Sequence, residues 1–160
     1  MTKVDIHRHF IDHLSREVDA LVAAAKNSVS MATNEAHRAE SKYDTFSLES
    51  SYLARGQAMR LEELTHALAR LQALQLQEFS ATTPIQLSAL VRLESSEGKR
   101  RTLFFGPAAG GEQLIADGEE VTLITARSPL CQAVLGKTVG ATFEFKVGST
   151  THVFTVVSVE

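Results

Sequence analysis

Apolar residues recur every three or four positions through the first half of the chain. In the first segment they are Ile11, Leu14, Val18, Leu21, Ala25 and Ala32, with Ser28 in the same register. In the second segment they are Leu61, Leu64, Leu68 and Leu71. A period near 3.5 residues is typical of helices that pack along one seam, as in a coiled coil. Before residue 80 there is no proline and Gly56 is the one glycine, so the pattern predicts two long helices.

The connection between these two series is short and polar. Residues 41–57 read SKYDTFSLESSYLARGQ, and the simplest arrangement is an antiparallel helical hairpin with its tip near Tyr43–Phe46. Helices of roughly 35 residues would reach about 50 Å, which is more than the core of so small a domain needs. We therefore expect an arm that carries its tip to a partner. The alternative is a hairpin that dimerises into a four-helix bundle.

The apolar period changes to two in the second half, which predicts β-strands. The predicted strands are 85–94, 100–106, 119–125, 142–148 and 151–159. The stretch EFSATTP (78–84) breaks the helical pattern with Ser, Thr and Pro. The chain is therefore divided into a helical hairpin (1–79), a linker (80–84) and a compact head (85–160).

One short helix is predicted between the third and fourth strands, at about 129–135. Ser128 suits the N-cap, Pro129 the first helical position and Gly136 the C-terminal cap. The sequence VGSTTH has turn chemistry and should join the last two strands as a hairpin. The predicted fold class is α+β, with a small antiparallel sheet domain after the helical hairpin.

Composition and charge narrow the class of protein. The chain has 160 residues, of which 44% are hydrophobic and 22% charged, as in soluble globular proteins. Its net charge of −3 excludes a global basic field that would hold nucleic acid. No apolar run approaches the roughly 18 residues of a membrane span, and the N-terminus has no signal-peptide pattern. A single cysteine, Cys131, excludes an intramolecular disulfide, so we expect a cytoplasmic protein.

The final part of the chain carries a family resemblance. The segments Ser128-Pro129-Leu130, Ala133-Val134-Leu135-Gly136-Lys137 and Val139-Gly140, with the closing pair of strands, resemble the C-terminal domain of bacterial Gre transcript cleavage factors. The order of helical hairpin, short linker and sheet domain is similar too. The resemblance implies an antiparallel coiled coil followed by a head similar to FK506-binding proteins.

The resemblance also implies a partner and a chemistry. Factors of this family dock the head on the rim of the secondary channel of RNA polymerase and insert the coiled coil toward the active site. Carboxylates at the tip help hold the second Mg²⁺ and position the water that cleaves backtracked RNA. By resemblance, Asp44 and Glu49 would act in trans as ligands of a Mg²⁺ shared with the polymerase. The chain would be a monomer and not itself an enzyme, with no cofactor of its own, and it would meet the nascent RNA 3′ end only within the complex.

The tip departs from the family pattern. With Tyr52 as the anchor, Thr45 and Leu48 stand where the family has Asp and Glu, and Asp44 and Glu49 each lie one position outward. Each acid also has an ordinary role, as an N-cap or near the positive end of a helix dipole. Some family members bind the channel but regulate or inhibit instead of cleaving. The sequence therefore leaves open two functions, stimulation of RNA cleavage and channel binding without cleavage.

Two further sets of residues are candidates for contact with a partner. The predicted partner contacts are Tyr43 and Phe46 at the tip, and Ser128, Pro129 and Lys137 in the motif that resembles the Gre head. The one basic run is Lys99, Arg100 and Arg101, which follows SSEG at a predicted turn. It is a candidate for contact with RNA or polymerase, and the alternative is a solvated turn.

The remaining chemical signals are weak. His9 and His13 lie one helical turn apart, a spacing that can bind Zn²⁺, but no third ligand is obvious, so they and His7 are interpreted as surface histidines. Cys131 is interpreted as a packing residue. A function of another class is a peptidyl-prolyl isomerase, since the implied head resembles those enzymes in fold, although fold does not imply function.

Overall fold

The computed structural model describes the backbone of residues 1–35 and 44–160, and the side chains of residues 1–28 and 52–160. The helices are α1 (Lys3–Glu35), α2 (Asp44–Gln72) and α3 (Pro129–Val134). The strands are β1 (Leu90–Ser95), β2 (Arg100–Phe105), β3 (Gln113–Ala116), β4 (Glu119–Ile124), β5 (Thr142–Val147) and β6 (Thr150–Val159). The fold is α+β, with a six-stranded mixed sheet.

The two long helices run in opposite directions where they touch. Near the start of α1, His7 Nε2 donates to the carbonyl of Leu71, near the end of α2, at 2.8 Å. Further along, Arg60 Nη2 lies 3.9 Å from Glu17 Oε2. Of the predicted apolar series, Leu14, Leu64 and Leu71 are buried, whereas Ala25 is exposed. The helices therefore pack most closely at their base, beside the sheet.

The sheet has the strand order β3-β4-β2-β1-β6-β5. Its neighbours are antiparallel except β2 and β4, which pair in parallel with Leu103 opposite Thr122. The prediction of a wholly antiparallel sheet is wrong at this pair. The chain leaves β2, forms β3 at the sheet edge and returns as β4, which inserts between them. The chain reverses direction between β2 and β3 and again between β3 and β4, so β4 runs parallel to β2.

Local pattern predicted the strands of the head with two errors. The strand predicted at 85–94 begins only at Leu90, because Ser88 adopts a left-handed φ of 73° and its hydroxyl accepts the Gln77 N–H at 3.0 Å. The strand β3 was not predicted. The hairpin of the last two strands is confirmed, with Val147 opposite Thr150 across a Gly148-Ser149 turn. The helix α3 is confirmed too, although the Ser128 side chain makes no capping hydrogen bond.

The sheet carries a separate core on each face. On one face α3 packs against the strands; the largest members of this core are Ile85, Leu93, Leu103, Phe105, Leu130, Phe143 and Phe154. On the other face the bases of α1 and α2 pack against the sheet; this core contains Ile6, Phe10, Leu14, Leu64, Leu71, Leu90, Phe104, Ala116, Val121 and Leu123. Both helices are therefore anchored to the sheet by apolar burial. The boundaries predicted at residues 80 and 84 stay predictions.

No helix in the described part of the chain is long and apolar enough to cross a membrane.

Candidate functional site

An open cleft of about 1760 Å³ extends from the α3 face of the sheet to α2, which packs against the opposite face. Its apolar lining includes Leu103, Ile124 and Leu130, which also belong to the core beneath α3. One wall is formed by the last turns of α2, and another by the loop between β2 and β3. The cleft is therefore a shared surface of the sheet and the base of α2.

Basic side chains reach this cleft from three places in the chain. The turn before β2 and the strand itself supply Lys99, Arg100 and Arg101, the last turn of α2 supplies Arg70, and the turn before α3 supplies Arg127. Glu63, Glu119 and Glu120 also line it, so five cations face three carboxylates. The structure thus joins the basic run seen in the sequence to two arginines that the sequence analysis did not single out.

Two of the five cations are already paired. Lys99 Nζ lies 3.3 Å from Glu97 Oε2, and Arg100 Nε donates to Glu94 Oε2 at 3.0 Å. These pairs are exposed, so each contributes little to stability and can exchange partners readily. These exposed ion pairs at the β1–β2 turn agree with the alternative interpretation of Lys99 and Arg100, in which the basic run is a solvated turn and does not contact a partner.

The other three arginines are free to bind a partner. Among the described residues, no carboxylate lies within 4.0 Å of Arg70, Arg101 or Arg127. The guanidinium of Arg101 lies over the Phe154 ring, 5.6 Å from its centroid, which orients it without neutralising its charge. Arginines of this kind recognise carboxylates and phosphates through paired N–H donors.

The predicted head contacts divide into two groups. Ser128 and Pro129 line the cleft next to Arg127. The Ser128 hydroxyl is not used as a helix cap, which leaves it available to a ligand. Lys137 lies elsewhere: its ammonium sits 5.8 Å from the Phe143 ring centroid, and its carbonyl accepts the Ile85 N–H at 2.8 Å. The structure therefore brings together Lys99, Arg100, Arg101, Ser128 and Pro129, but not Lys137.

Cys131 is buried beneath the cleft in α3. Burial raises the pKa of its thiol, because the thiolate is poorly solvated there. A thiol with a raised pKa is a poor nucleophile at neutral pH. The interpretation of Cys131 as a packing residue is confirmed.

The predicted tip lies outside the described residues. Tyr43 is not described, and Asp44, Phe46 and Glu49 are described only as backbone within α2. Their roles in partner contact and in holding a shared Mg²⁺ stay predictions.

The chain is similar to several solved structures at low sequence identity. Gfh1 of Thermus aquaticus is 19% identical over 92% of each chain, with a TM-score of 0.39. The GreA factor homolog 1 (Gfh1) protein of Thermus thermophilus is 20% identical over 94% of each chain, with a TM-score of 0.38. The transcription elongation factor GreA/GreB from Nitrosomonas europaea is 22% identical over 62% of this chain and 78% of its own, with a TM-score of 0.37.

No protein-family model matches the chain, and no curated protein matches it significantly. Because the TM-scores of these neighbours lie below 0.5, the likeness does not by itself assign the chain to a family.

Proposed function

We propose that this protein is a Gre-like elongation factor that binds RNA polymerase. The main support for the proposal is that α1 and α2 are longer than the segments of them that pack against the core. The sequence segments of the head that resemble Gre factors, above all Ser128-Pro129-Leu130 and the helix they begin, support the same partner.

The helices extend well past the core that anchors them. Among the described residues of α1 the last fully buried one is Leu14, about 17 Å from Lys3, and the partly buried Val18 and Leu21 also pack against the core. The 33 residues of the helix span about 50 Å. Described residues 23–28 of α1 and 52–56 of α2 are all exposed. A stretch of helix that buries little apolar surface, as residues 23–28 and 52–56 do, contributes little to stability. The length of α1 and α2 is better explained if their far ends contact a partner.

In the finer form of the proposal, the head docks on the rim of the polymerase's secondary channel and the helical hairpin enters the channel as a coiled coil. The cleft supplies the docking contacts, with Arg101 and Arg127 facing carboxylates or phosphates of the complex. The tip, with Tyr43 and Phe46, approaches the polymerase active site. The protein acts in the bacterial cytoplasm as a monomer.

Two outcomes of this docking are proposed. In the first, Asp44 and Glu49 help hold the polymerase's second Mg²⁺ and stimulate its cleavage of backtracked RNA. In the second, the chain occupies the channel and regulates or inhibits without cleavage. The outward displacement of both acids from the family pattern supports the second outcome, since metal ligation depends on the spacing of the oxygens.

The first test is binding to purified core RNA polymerase. Wild type is expected to bind, and Arg101→Glu or Arg127→Glu is expected to weaken binding at least tenfold, which corresponds to about 1.4 kcal/mol. Arg8→Glu is the matched control, because Arg8 is exposed on α1 and does not line the cleft. Absence of wild-type binding at micromolar concentrations would contradict the proposal. A doubled mass in light scattering would then favour the dimerisation alternative.

The second test separates the two outcomes. The protein is added to stalled, backtracked elongation complexes, and the RNA length is followed. Stimulated shortening that is lost in Asp44→Asn and Glu49→Gln, but kept in Glu62→Gln, supports the cleavage form. Binding without shortening, together with competition against a genuine Gre factor, supports the regulator form.

A further inference from the structure

Three potential metal ligands meet where α1 lies against the loop that precedes β3. His13 Nε2 is 3.3 Å from Glu112 Oε2 and 3.9 Å from Glu17 Oε1. One ligand atom from each of the three residues lies within 4.8 Å of the others. Among the described residues, this is the one group of three or more His, Cys, Asp or Glu side chains gathered so closely.

The backbone on both sides holds these groups in place. His13 and Glu17 are separated by one turn of α1, and they flank Leu14, which is fully buried against the sheet. Glu112 is fixed by β4, because its carbonyl accepts the Leu123 N–H at 2.8 Å. Leu123 belongs to the same core as Leu14. The three side chains therefore start from a rigid frame, which favours binding because little entropy is lost on ordering them.

The charges of the cluster are incompletely balanced. Glu17 Oε2 has almost no accessible surface, and no donor of the described residues reaches it within hydrogen-bond distance. The nearest cation is Arg60 of α2, whose Nη2 lies 3.9 Å from Glu17 Oε2 and 3.9 Å from Glu112 Oε1. One distant guanidinium thus faces two carboxylates. The Glu17 side chain as a whole is 38% exposed, and a bound cation would give this one buried oxygen a partner.

The donor set and spacing select the cation. One imidazole nitrogen with two carboxylates suits zinc and its neighbours, whereas Mg²⁺ and Ca²⁺ prefer oxygen ligands alone. Bonds of about 2.0–2.1 Å in a tetrahedral site place ligand atoms about 3.3 Å apart. The His13–Glu112 separation already has this value, and Glu17 needs to approach His13 by roughly half an ångström. The ligand atoms of Glu17 and Glu112 lie within 4.8 Å of each other, so a side-chain movement must bring them closer as well.

We propose that His13, Glu17 and Glu112 form a zinc site that joins the base of α1 to the sheet, with water in the fourth position. The sequence pattern led to the interpretation of His9 and His13 as surface histidines, whereas the proposed site pairs His13 with Glu17 and Glu112 and leaves His9 out. Zinc would displace Arg60, since the ion neutralises both carboxylates. None of the three ligands lines the cleft, although Glu112 lies between Gly111 and Gln113, which do. The site does not depend on the proposed function.

The test is a zinc titration of the metal-free full-length protein by competition with a chromogenic chelator. Wild type is expected to bind one Zn²⁺ in the micromolar range, and His13→Gln and Glu112→Gln are expected to lose at least tenfold in affinity. In a hundredfold excess of zinc over its Kd, Tm should rise by about 5 °C or more in wild type and not in His13→Gln.

His66→Gln is the matched control. His66 and Glu62 form the same one-turn pair on α2, with 3.8 Å between His66 Nε2 and Glu62 Oε1, but no third ligand from the described part of the chain joins them. The zinc affinity of His66→Gln should equal that of wild type, and so should the zinc affinity of His9→Gln.

Co²⁺ provides a readout of geometry that does not depend on folding stability. Wild type should give the visible absorption of a tetrahedral cobalt ion, and Glu112→Gln should not. Absence of zinc binding in wild type, or an equal loss in His13→Gln and His66→Gln, would overturn the proposal. An effect of His9→Gln without one of Glu112→Gln would overturn it too, because the site would then lie on α1 alone.

Discussion

A pair of polar side chains fixes the start of α1. The Thr2 hydroxyl accepts the Asp5 N–H at 3.2 Å, and Asp5 Oδ2 accepts the Thr2 N–H at 3.0 Å and its hydroxyl at 2.7 Å. This reciprocal arrangement is a capping box, which satisfies donors that the helix itself leaves unpaired. The Thr2 hydroxyl and N–H both stabilise the carboxylate, and the pKa of Asp5 is therefore lowered from its ordinary value.

The capping box predicts a pH-dependent contribution to stability. Because the pKa of Asp5 is lower in the folded chain, its contribution is complete above the ordinary value of 3.8 and is lost as pH falls through the folded pKa. Asp5→Asn should therefore lower the free energy of unfolding at neutral pH, and the difference from wild type should disappear once the pH falls below the lowered pKa of Asp5. Thr2→Ala should cost about 1 kcal/mol. Urea unfolding across this pH range measures both effects.

Asp12→Asn is the control for this experiment. Asp12 is exposed on the same helix, and its side chain makes no hydrogen bond with the described residues. Its substitution should leave the stability difference near zero throughout. A pH-independent loss in Asp5→Asn would contradict the capping mechanism.

At the scale of the elements, two glycines should respond to alanine with opposite sign. Gly56 lies inside α2, and an added Cβ would meet nothing within 4 Å. Gly106 follows β2, and an added Cβ would lie 2.6 Å from Leu123 Cδ1, inside the core. Gly56→Ala should stabilise by about 0.5–1 kcal/mol through helix propensity. Gly106→Ala should destabilise by about 1–3 kcal/mol through overpacking, and urea unfolding should show both signs. A stabilising Gly106→Ala would show that Leu123 moves freely.

Elements with a strong local pattern could be predicted from the sequence, but their arrangement could not. The strand β3 has only four residues, and three of them are partly or fully exposed, so its alternation is too short to notice. The Asp117-Gly118 pair was the available signal. Both residues have positive φ, 52° and 81°, as a two-residue type I′ hairpin turn requires. The parallel pairing of β2 with β4 had no local signal, because strand order depends on contacts distant in sequence.

At the scale of the whole molecule, sites form from residues that the sequence separates widely. The basic run at Lys99–Arg101 was visible as a motif, but Arg70 and Arg127 reach the same cleft only through the fold. The third ligand of the His13 cluster comes from Glu112, about a hundred residues away in the chain. Sequence spacing predicts which residues share one helix face and cannot predict which faces meet. This explains why the basic run could be noticed in the sequence, whereas the other residues that line the same cleft could not.

The core beneath α1 and α2 predicts that the helices and the sheet unfold together. The Phe10 ring stacks on Phe104 of β2, with centroids 6.0 Å apart, and both rings are fully buried. Phe10→Ala should cost about 3–5 kcal/mol, because the sheet is too rigid to fill the space left behind. The lost contact joins the helices to the sheet. In urea, the helical signal in circular dichroism and the amide protection of β2 and β4 should therefore be lost at the same urea concentration, which should be lower than in wild type.

Leu53→Ala is the matched control for this last change, because the Leu53 side chain is 67% exposed on α2. It should change the free energy of unfolding by less than about 0.5 kcal/mol. If Phe10→Ala instead opens the helices while β2 and β4 keep their full protection, the arm and head are independent folding units. In that case a zinc ion bound by His13, Glu17 and Glu112 would be needed to hold the arm in place. If they unfold together, apolar packing already fixes the arm, and zinc would add to an existing junction.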